Sequence, residues 1–171
     1  MEIRFGETTA RGRRIALFWL LVILVVILDQ TTKAAAIEVL EHGSLTFIPG
    51  ILNLVLVYNT GAAFSFGEGA GVIFVLAAIA FFVASFVCVT NTEDLPFRLV
   101  VSISLIAGGG MGNLVDRLIA GCVTDFLSFS FIRFPVFNVA DICVTLGVAA
   151  TVLFLWQRDA SKQSLSVDAD M

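Results

Sequence analysis

Apolar residues dominate four stretches of this chain, and polar residues gather between them. The first runs from Ile15 to about Ala36 and is unbroken as far as Leu28; the others are Gly69–Val89, Phe97–Val115 and Val139–Trp156. Each can cross a hydrocarbon core, which takes about 20 helical residues. Their connections differ: Asn91–Pro96 is a tight polar turn, Glu38–Phe66 is long, and Ile119–Phe137 is intermediate. Two segments in the longer connections read as strands. "ILNLVLVY" (Ile51–Tyr58) lies between the turn signals Pro49-Gly50 and Asn59-Thr60-Gly61. "LSFSFIRF" (Leu127–Phe134) alternates, with Leu127, Phe129, Phe131 and Arg133 on one face and Ser128, Ser130, Ile132 and Phe134 on the other. The pattern predicts an all-α membrane protein of four transmembrane helices with a small extracytoplasmic β-sheet. Such a sheet either holds an extended peptide by backbone pairing or simply fills space over the bundle.

Composition strengthens the membrane reading. The chain is 58% hydrophobic and 14% charged, against about 25% charged in soluble domains. The net charge of −4 is spread over the ends and connections, and no basic patch points to nucleic acid. Basic residues set the orientation. Arg4, Arg11, Arg13, Arg14, Arg98, Arg158 and Lys162 fall on one side; Lys33, Arg117 and Arg133 fall on the other. Both termini are therefore expected in the cytoplasm and both longer loops outside. The start "RGRR", an apolar run and "AAA" imitate a cleavable signal peptide. Asp29 and Lys33 would charge the region before such a cleavage site, and three further spans follow, so the first helix is read as retained. Residues 1–14 and 158–171 are expected to be disordered cytoplasmic tails flanking one four-helix transmembrane domain, 15–157.

The polar residues that remain crowd the outward ends of the spans. Asp29 and Lys33, four apart, share a helix face and can pair. "GGGMGNLVDR" supplies Asn113, Asp116 and Arg117, with Gly108 and Gly112 spaced for close helix approach. Asp116 is expected to form a structural ion pair with its neighbour Arg117. "VTDF" supplies Asp125. In "FNVAD", Asn138 suits an N-cap and Asp141 the third helical position. Asp141 alone would be explained by the positive end of its helix. Read with Asp125, which also lacks an adjacent cation, it suggests a second role. Two carboxylates held close share a proton, so one can act as base for water while the other polarises a carbonyl. Rival chemistries lack parts. His42 is the sole histidine, and there is neither HExxH nor GxSxG. Cys88, Cys122 and Cys143 show no metal-like spacing and read as free thiols. A proton-coupled transporter would hold its acids nearer mid-depth, and an assembly factor would need no acid pair.

The ordered motifs "DQTTK", "YNTGAAF", "GGGMGNLVDR", "VTDF" and "FNVADICVTLG" resemble those of the lipoprotein signal peptidases (signal peptidase II) over roughly Ile15–Trp156. Thr124 departs from the valine usual there. The resemblance implies an aspartic endopeptidase of the bacterial cytoplasmic (inner) membrane. It would remove signal peptides from prolipoproteins, cutting before a cysteine that already carries diacylglyceryl. It implies Asp125 and Asp141 as the catalytic pair, with Asn59, Asn113, Arg117 and Asn138 lining or bracing the site. Asp116, Asp29 and Lys33 are expected to support it. It also implies a surface sheet cradling the substrate, a monomer working in membrane lipid, and no metal or cofactor.

The cation bias predicts that reporters fused after Arg158 or within Asn91–Pro96 read cytoplasmic, and those within Glu38–Phe66 external. The reverse pattern would place the aspartates in the cytoplasm, away from any translocated peptide.

Overall fold

The computed structural model describes residues 3–61 and 71–169, with side chains for 10–61 and 72–160. Four helices carry the apolar stretches: α1 (Ile3–Leu40), α2 (Gly71–Asn91), α3 (Phe97–Ala120) and α4 (Val139–Ala169). All four are long and apolar enough to span a membrane. Three strands, β1 (Leu45–Ile48), β2 (Leu52–Asn59) and β3 (Val123–Phe129), form one antiparallel sheet in that order.

Half of the most apolar window of α3 is buried, against 11–22% in the other helices. It is the central helix, and its composition explains how. Small residues let neighbouring backbones come close, which replaces the hydrophobic drive that lipid does not supply. A Cβ on Gly108 would lie 2.8 Å from that of Val25, and one on Gly112 would lie 2.5 Å from Asp29 Oδ2. Both glycines therefore face α1, as their spacing predicts. Gly109 faces the Ala140 carbonyl of α4, and Gly147 of α4 in turn meets Ser102 and Ile106 of α3. The buried hydroxyls of Ser102 and Ser104 bond back to the carbonyls of Arg98 (2.8 Å) and Val100 (2.6 Å), so neither is left unpaired. Away from the sheet, Phe18, Val22, Val89, Leu99 and Val100 form the apolar core. Outward-facing Leu20, Ile23, Leu24 and Ile27 stay about half exposed, the surface a lipid-facing helix presents.

The sheet covers one end of the bundle. Phe126, Leu54 and Leu56 pack on Ala36 and Leu40 of α1 and on Val139 of α4. Gly50, at φ +74°, allows the tight turn between β1 and β2. Gly121, at φ +75°, ends α3 and sends the chain straight into β3, its N–H bonded to the Arg117 carbonyl at 3.1 Å.

Three expectations need correction. The second strand lies four residues earlier than the alternation suggested, at Val123–Phe129 rather than Leu127–Phe134. Val123 to Phe126 are buried on both faces, so this strand shows no alternation where it pairs best. After Phe129 the chain turns back: Phe137 exchanges backbone bonds with Leu127, and the rings of Phe129, Phe131, Phe134 and Phe137 cluster at 5.0–5.8 Å. The alternating phenylalanines thus build a turn. Second, β1 was not foreseen; it is four residues long and exposed throughout, with no burial pattern to betray it. Third, both expected disordered tails continue as helix, from Ile3 into α1 and out to Ala169 in α4. Extending a formed helix is far easier than nucleating one.

Gly109→Ala should destabilise the bundle by about 1–3 kcal/mol, because a backbone carbonyl cannot step aside. Gly110→Ala, where a Cβ meets nothing within 4 Å, should be neutral or mildly stabilising. Thermal unfolding of the two variants in detergent distinguishes these outcomes; equal behaviour would contradict the packing described.

Candidate active site

The nine polar residues singled out in the sequence all gather where the sheet meets the ends of α1, α3 and α4. Lys33 is the hub. Its ammonium bonds Asp29 Oδ2 (2.8 Å), Asp116 Oδ2 (2.9 Å) and Asn113 Oδ1 (2.9 Å). Lys33 is only 2% exposed, Asp29 is fully buried and Asp116 is nearly so. The expected Asp29–Lys33 pair is present.

The expected Asp116–Arg117 pair is not. Consecutive residues on a helix point in different directions, so Asp116 turns towards α1 while Arg117 turns away. Asp116 accepts from Lys33, from Gln30 Nε2 (2.8 Å) and from the Thr124 N–H (2.9 Å). Arg117 donates to the carbonyls of Asn113 (3.2 Å) and Gly61 (3.1 Å), and its guanidinium lies 5.3 Å from the centre of the Phe74 ring. Arg117 therefore fastens the segment after β2 and the start of α2 onto α3.

The start of α4 is capped twice. The Asn138 side-chain oxygen accepts from the Asp141 N–H (3.0 Å), and Asp141 Oδ2 accepts from the Asn138 N–H (3.1 Å). This reciprocal capping box fixes both residues, with Asp141 at the third helical position as the sequence suggests. Asp29 Oδ1 takes the adjacent Ala140 N–H at 2.9 Å. A carboxylate on α1 thus locks the N-terminus of α4.

Asn138 also joins the two remaining acids. Its Nδ2 donates to Asp125 Oδ1 at 2.7 Å, while its backbone holds Asp141. Asp125 Oδ2 accepts from Asn59 at 2.9 Å, and Asp141 Oδ1 accepts from Asn113 at 2.8 Å. Asn59 is itself held by the Gly61 N–H. The remainder of the "YNTGAAF" motif, residues 62–64, lies outside the described residues.

Two hollows meet here. One, of about 530 Å³, runs between α3 and α4 and is lined by Asn113, Arg117, Asp125, Asp141, Ile142 and Leu146 among others. The other, of about 590 Å³, lies over the sheet and includes Tyr58, Thr60, Ser128 and Arg133. Asn59, Asp125, Phe129 and Phe134 line both. Strand addition beside Asp125 is blocked, because the outer edge of β3 is already engaged by Asp116, Asn138 and Phe137. Among the described strands only β1 has an open edge, two strands away.

Comparison with known proteins gives the family and the fold. Residues 21–157 match the family described as Signal peptidase (SPase) II. The lipoprotein signal peptidase of Chlorobaculum tepidum is 39% identical over 153 residues, covering 81% of this chain and 93% of that one. That of Streptococcus agalactiae is 33% identical, covering 83% and 93%. A bacterial membrane enzyme solved by the in meso method at 2.3 Å superposes with a TM-score of 0.78 at 31% identity, covering 85% and 90%. The chain belongs to the signal peptidase II family.

As a member of the signal peptidase II family it is a multi-pass membrane peptidase, a hydrolase. Gln30 is a participant the sequence reading passed over. Besides Asp116 it donates to the Gly112 carbonyl at 3.1 Å. Its spacing of three from Lys33 on "DQTTK" was the available signal. The three cysteines are free, as expected. His42 is exposed in the loop before β1.

Burial pushes the Asp125 carboxyl up to about 6, helped by the Asp141 charge and opposed by the Asn59 and Asn138 amides and Lys33. Its ordinary value is about 3.9, so the folded state holds this proton more tightly than the unfolded chain. The stability this contributes is complete below about pH 4 and lost as pH rises through about 6. Relative to the parent, Asp125→Asn should therefore gain thermal stability between pH 4 and pH 7.5, whatever constant offset the amide brings. Unfolding temperatures in detergent across that range provide the check; a difference that does not change with pH would contradict the assignment.

Proposed function

We propose that this protein is an aspartic endopeptidase that removes signal peptides from diacylglyceryl-modified prolipoproteins, cutting before the lipidated cysteine. Asp125 and Asp141 are its catalytic pair, and it works at the extracytoplasmic face of a bacterial cytoplasmic membrane, with both termini in the cytoplasm. The observation that carries this reading is Asn138, which holds one carboxylate by its side chain and the other by its backbone. The pair thereby sits where a strongly apolar hollow meets a more polar one.

The two acids differ in a useful way. Asp125, raised to about 6, is the readier to hold a proton, and a bound substrate that expels water raises it further. Asp141 receives a backbone N–H at the start of its helix besides the Asn113 amide and serves as base. Asp141 takes a proton from water as the water oxygen bonds to the scissile carbonyl carbon. Asp125 donates its proton to the carbonyl oxygen. Collapse of the tetrahedral intermediate breaks the C–N bond: Asp141 passes its proton to the departing amine, and Asp125 recovers its own from the hydroxyl. No net proton is gained or lost by the pair.

The substrate's chemistry suits the site. A signal peptide is itself an apolar helix, and the acyl chains on the cysteine that follows it remain in lipid while the cleavage site reaches the end of the bundle. The α3–α4 hollow, with Ile142, Val144 and Leu146, offers an apolar wall beside the acids. Acids gathered at one end rather than at mid-depth argue against a transporter.

Purified protein in detergent should cut a diacylglyceryl-modified prolipoprotein immediately before the cysteine and leave the unlipidated form uncut. Asp125→Asn and Asp141→Asn should each insert normally and lose about 10²–10⁴-fold in turnover. The double variant should be little worse than either, as members of one unit are non-additive. A well-inserted Asp141→Asn protein cutting at the parent rate would reduce that residue to a helix cap and end the acid-pair reading.

A further inference from the structure

Lys33 does not touch Asp141, yet only Asn113 separates them. The lysine ammonium has three N–H groups and no acceptor. All three are engaged, on Asp29, Asp116 and the side-chain oxygen of Asn113. An amide can present either its oxygen or its NH₂ to a given neighbour. At Asn113 the oxygen faces two donors, Lys33 Nζ at 2.9 Å and Asn138 Nδ2 at 3.0 Å. Turned over, the amide would aim N–H groups at an ammonium and its oxygen at a carboxylate. The observed orientation instead sends the NH₂ to Asp141 Oδ1 at 2.8 Å. A hydrogen bond given to this carboxylate favours its charged form, which a resting base needs.

Resting on the acid-pair reading above, we propose that Lys33 is a positioning residue for hydrolysis: it fixes the Asn113 amide so that Asp141 rests as the base. Its pairing with Asp29 and Asp116 is what holds the ammonium at the required place. The charges bearing on Asp141 are Lys33 and Asp29 from α1, Arg117 and Asp116 from α3, and Asp125 from β3. Cys143 lies on α4 itself, and Cys88 is the sole titratable residue of α2. A test must therefore separate orientation from charge.

The double variant Asp29→Asn with Lys33→Met does so. It removes one negative and one positive charge together, and the new amide still offers an oxygen to the Ala140 N–H. Its kcat at neutral pH should fall at least about tenfold with KM within about twofold, and the acid limb of the kcat profile should move up by about one pH unit. Inserted protein with the parent's kcat and acid limb would overturn the proposal, and so would a lower kcat on an unmoved limb. Should this variant fail to accumulate, Asn113→Ala decides, since it leaves the ammonium paired with both aspartates. An upward shift of the acid limb supports the proposal, and an unmoved limb overturns it. Asp125→Asn and Asp141→Asn assayed alongside separate the two levels: if they retain turnover the acid-pair reading itself fails, whereas if they lose it and the limb stays fixed only the role of Lys33 falls.

Discussion

An ammonium taken out of water must find a partner for each of its three N–H groups, and at Lys33 those partners fix the architecture of one end of the bundle. Removing one member of a buried ionic group typically costs about 3–5 kcal/mol, because the others are left uncompensated. Asp29 lies one helical turn away on α1, Asp116 on α3, and Asn113 one turn before it. Each then passes the constraint on. Asp29 caps α4 through the Ala140 N–H, Asp116 holds the Thr124 N–H at the head of β3, and Asn113 reaches Asp141. Three helices and a strand are thus registered by one charge. The glycines of α3 make this possible, since a side chain at Gly112 would occupy the position of the Asp29 carboxylate.

Within that frame, two carboxylates of the same kind acquire different surroundings. Asp141 belongs to a helix N-terminus and receives a backbone and an amide N–H, contacts that favour a negative charge against the cost of its burial. Asp125 belongs to a buried strand and receives only side-chain amides. Its neighbours include the Asp141 charge, and burial dominates its behaviour. Asn138 binds both, so the two are joined through one residue that is itself fully buried. Different environments for a matched pair of acids are what an acid–base division of labour requires.

Much of this was legible in the sequence because it rests on local spacing. Apolar runs gave the spans, a separation of four joined Asp29 to Lys33, and Asn138 with Asp141 carried a capping pattern that the structure forms. Partnerships between elements were harder to read. Asp116 lies beside Arg117 in sequence, yet helix geometry turns them apart, and the cation it meets is on another helix. Gln30 escaped notice for the same reason, as its acceptors lie on α3. The β3 boundary was misplaced because a strand covered on both faces shows no alternation, while the alternating phenylalanines after it pack ring to ring in a turn. Strand β1, exposed along its whole length, left no trace in the hydrophobic pattern.

The central claim is that the two aspartates hold unlike protonation states at rest, with the proton on Asp125. Infrared difference spectroscopy of protein labelled with ¹³C-carboxyl aspartate, titrated in lipid, reads this directly. The account predicts a protonated carboxyl band at pH 5 that titrates away near 6, is missing in Asp125→Asn and persists in Asp141→Asn. A band that survives Asp125→Asn but vanishes with Asp141→Asn, or no protonated carboxyl at pH 5 at all, would contradict it.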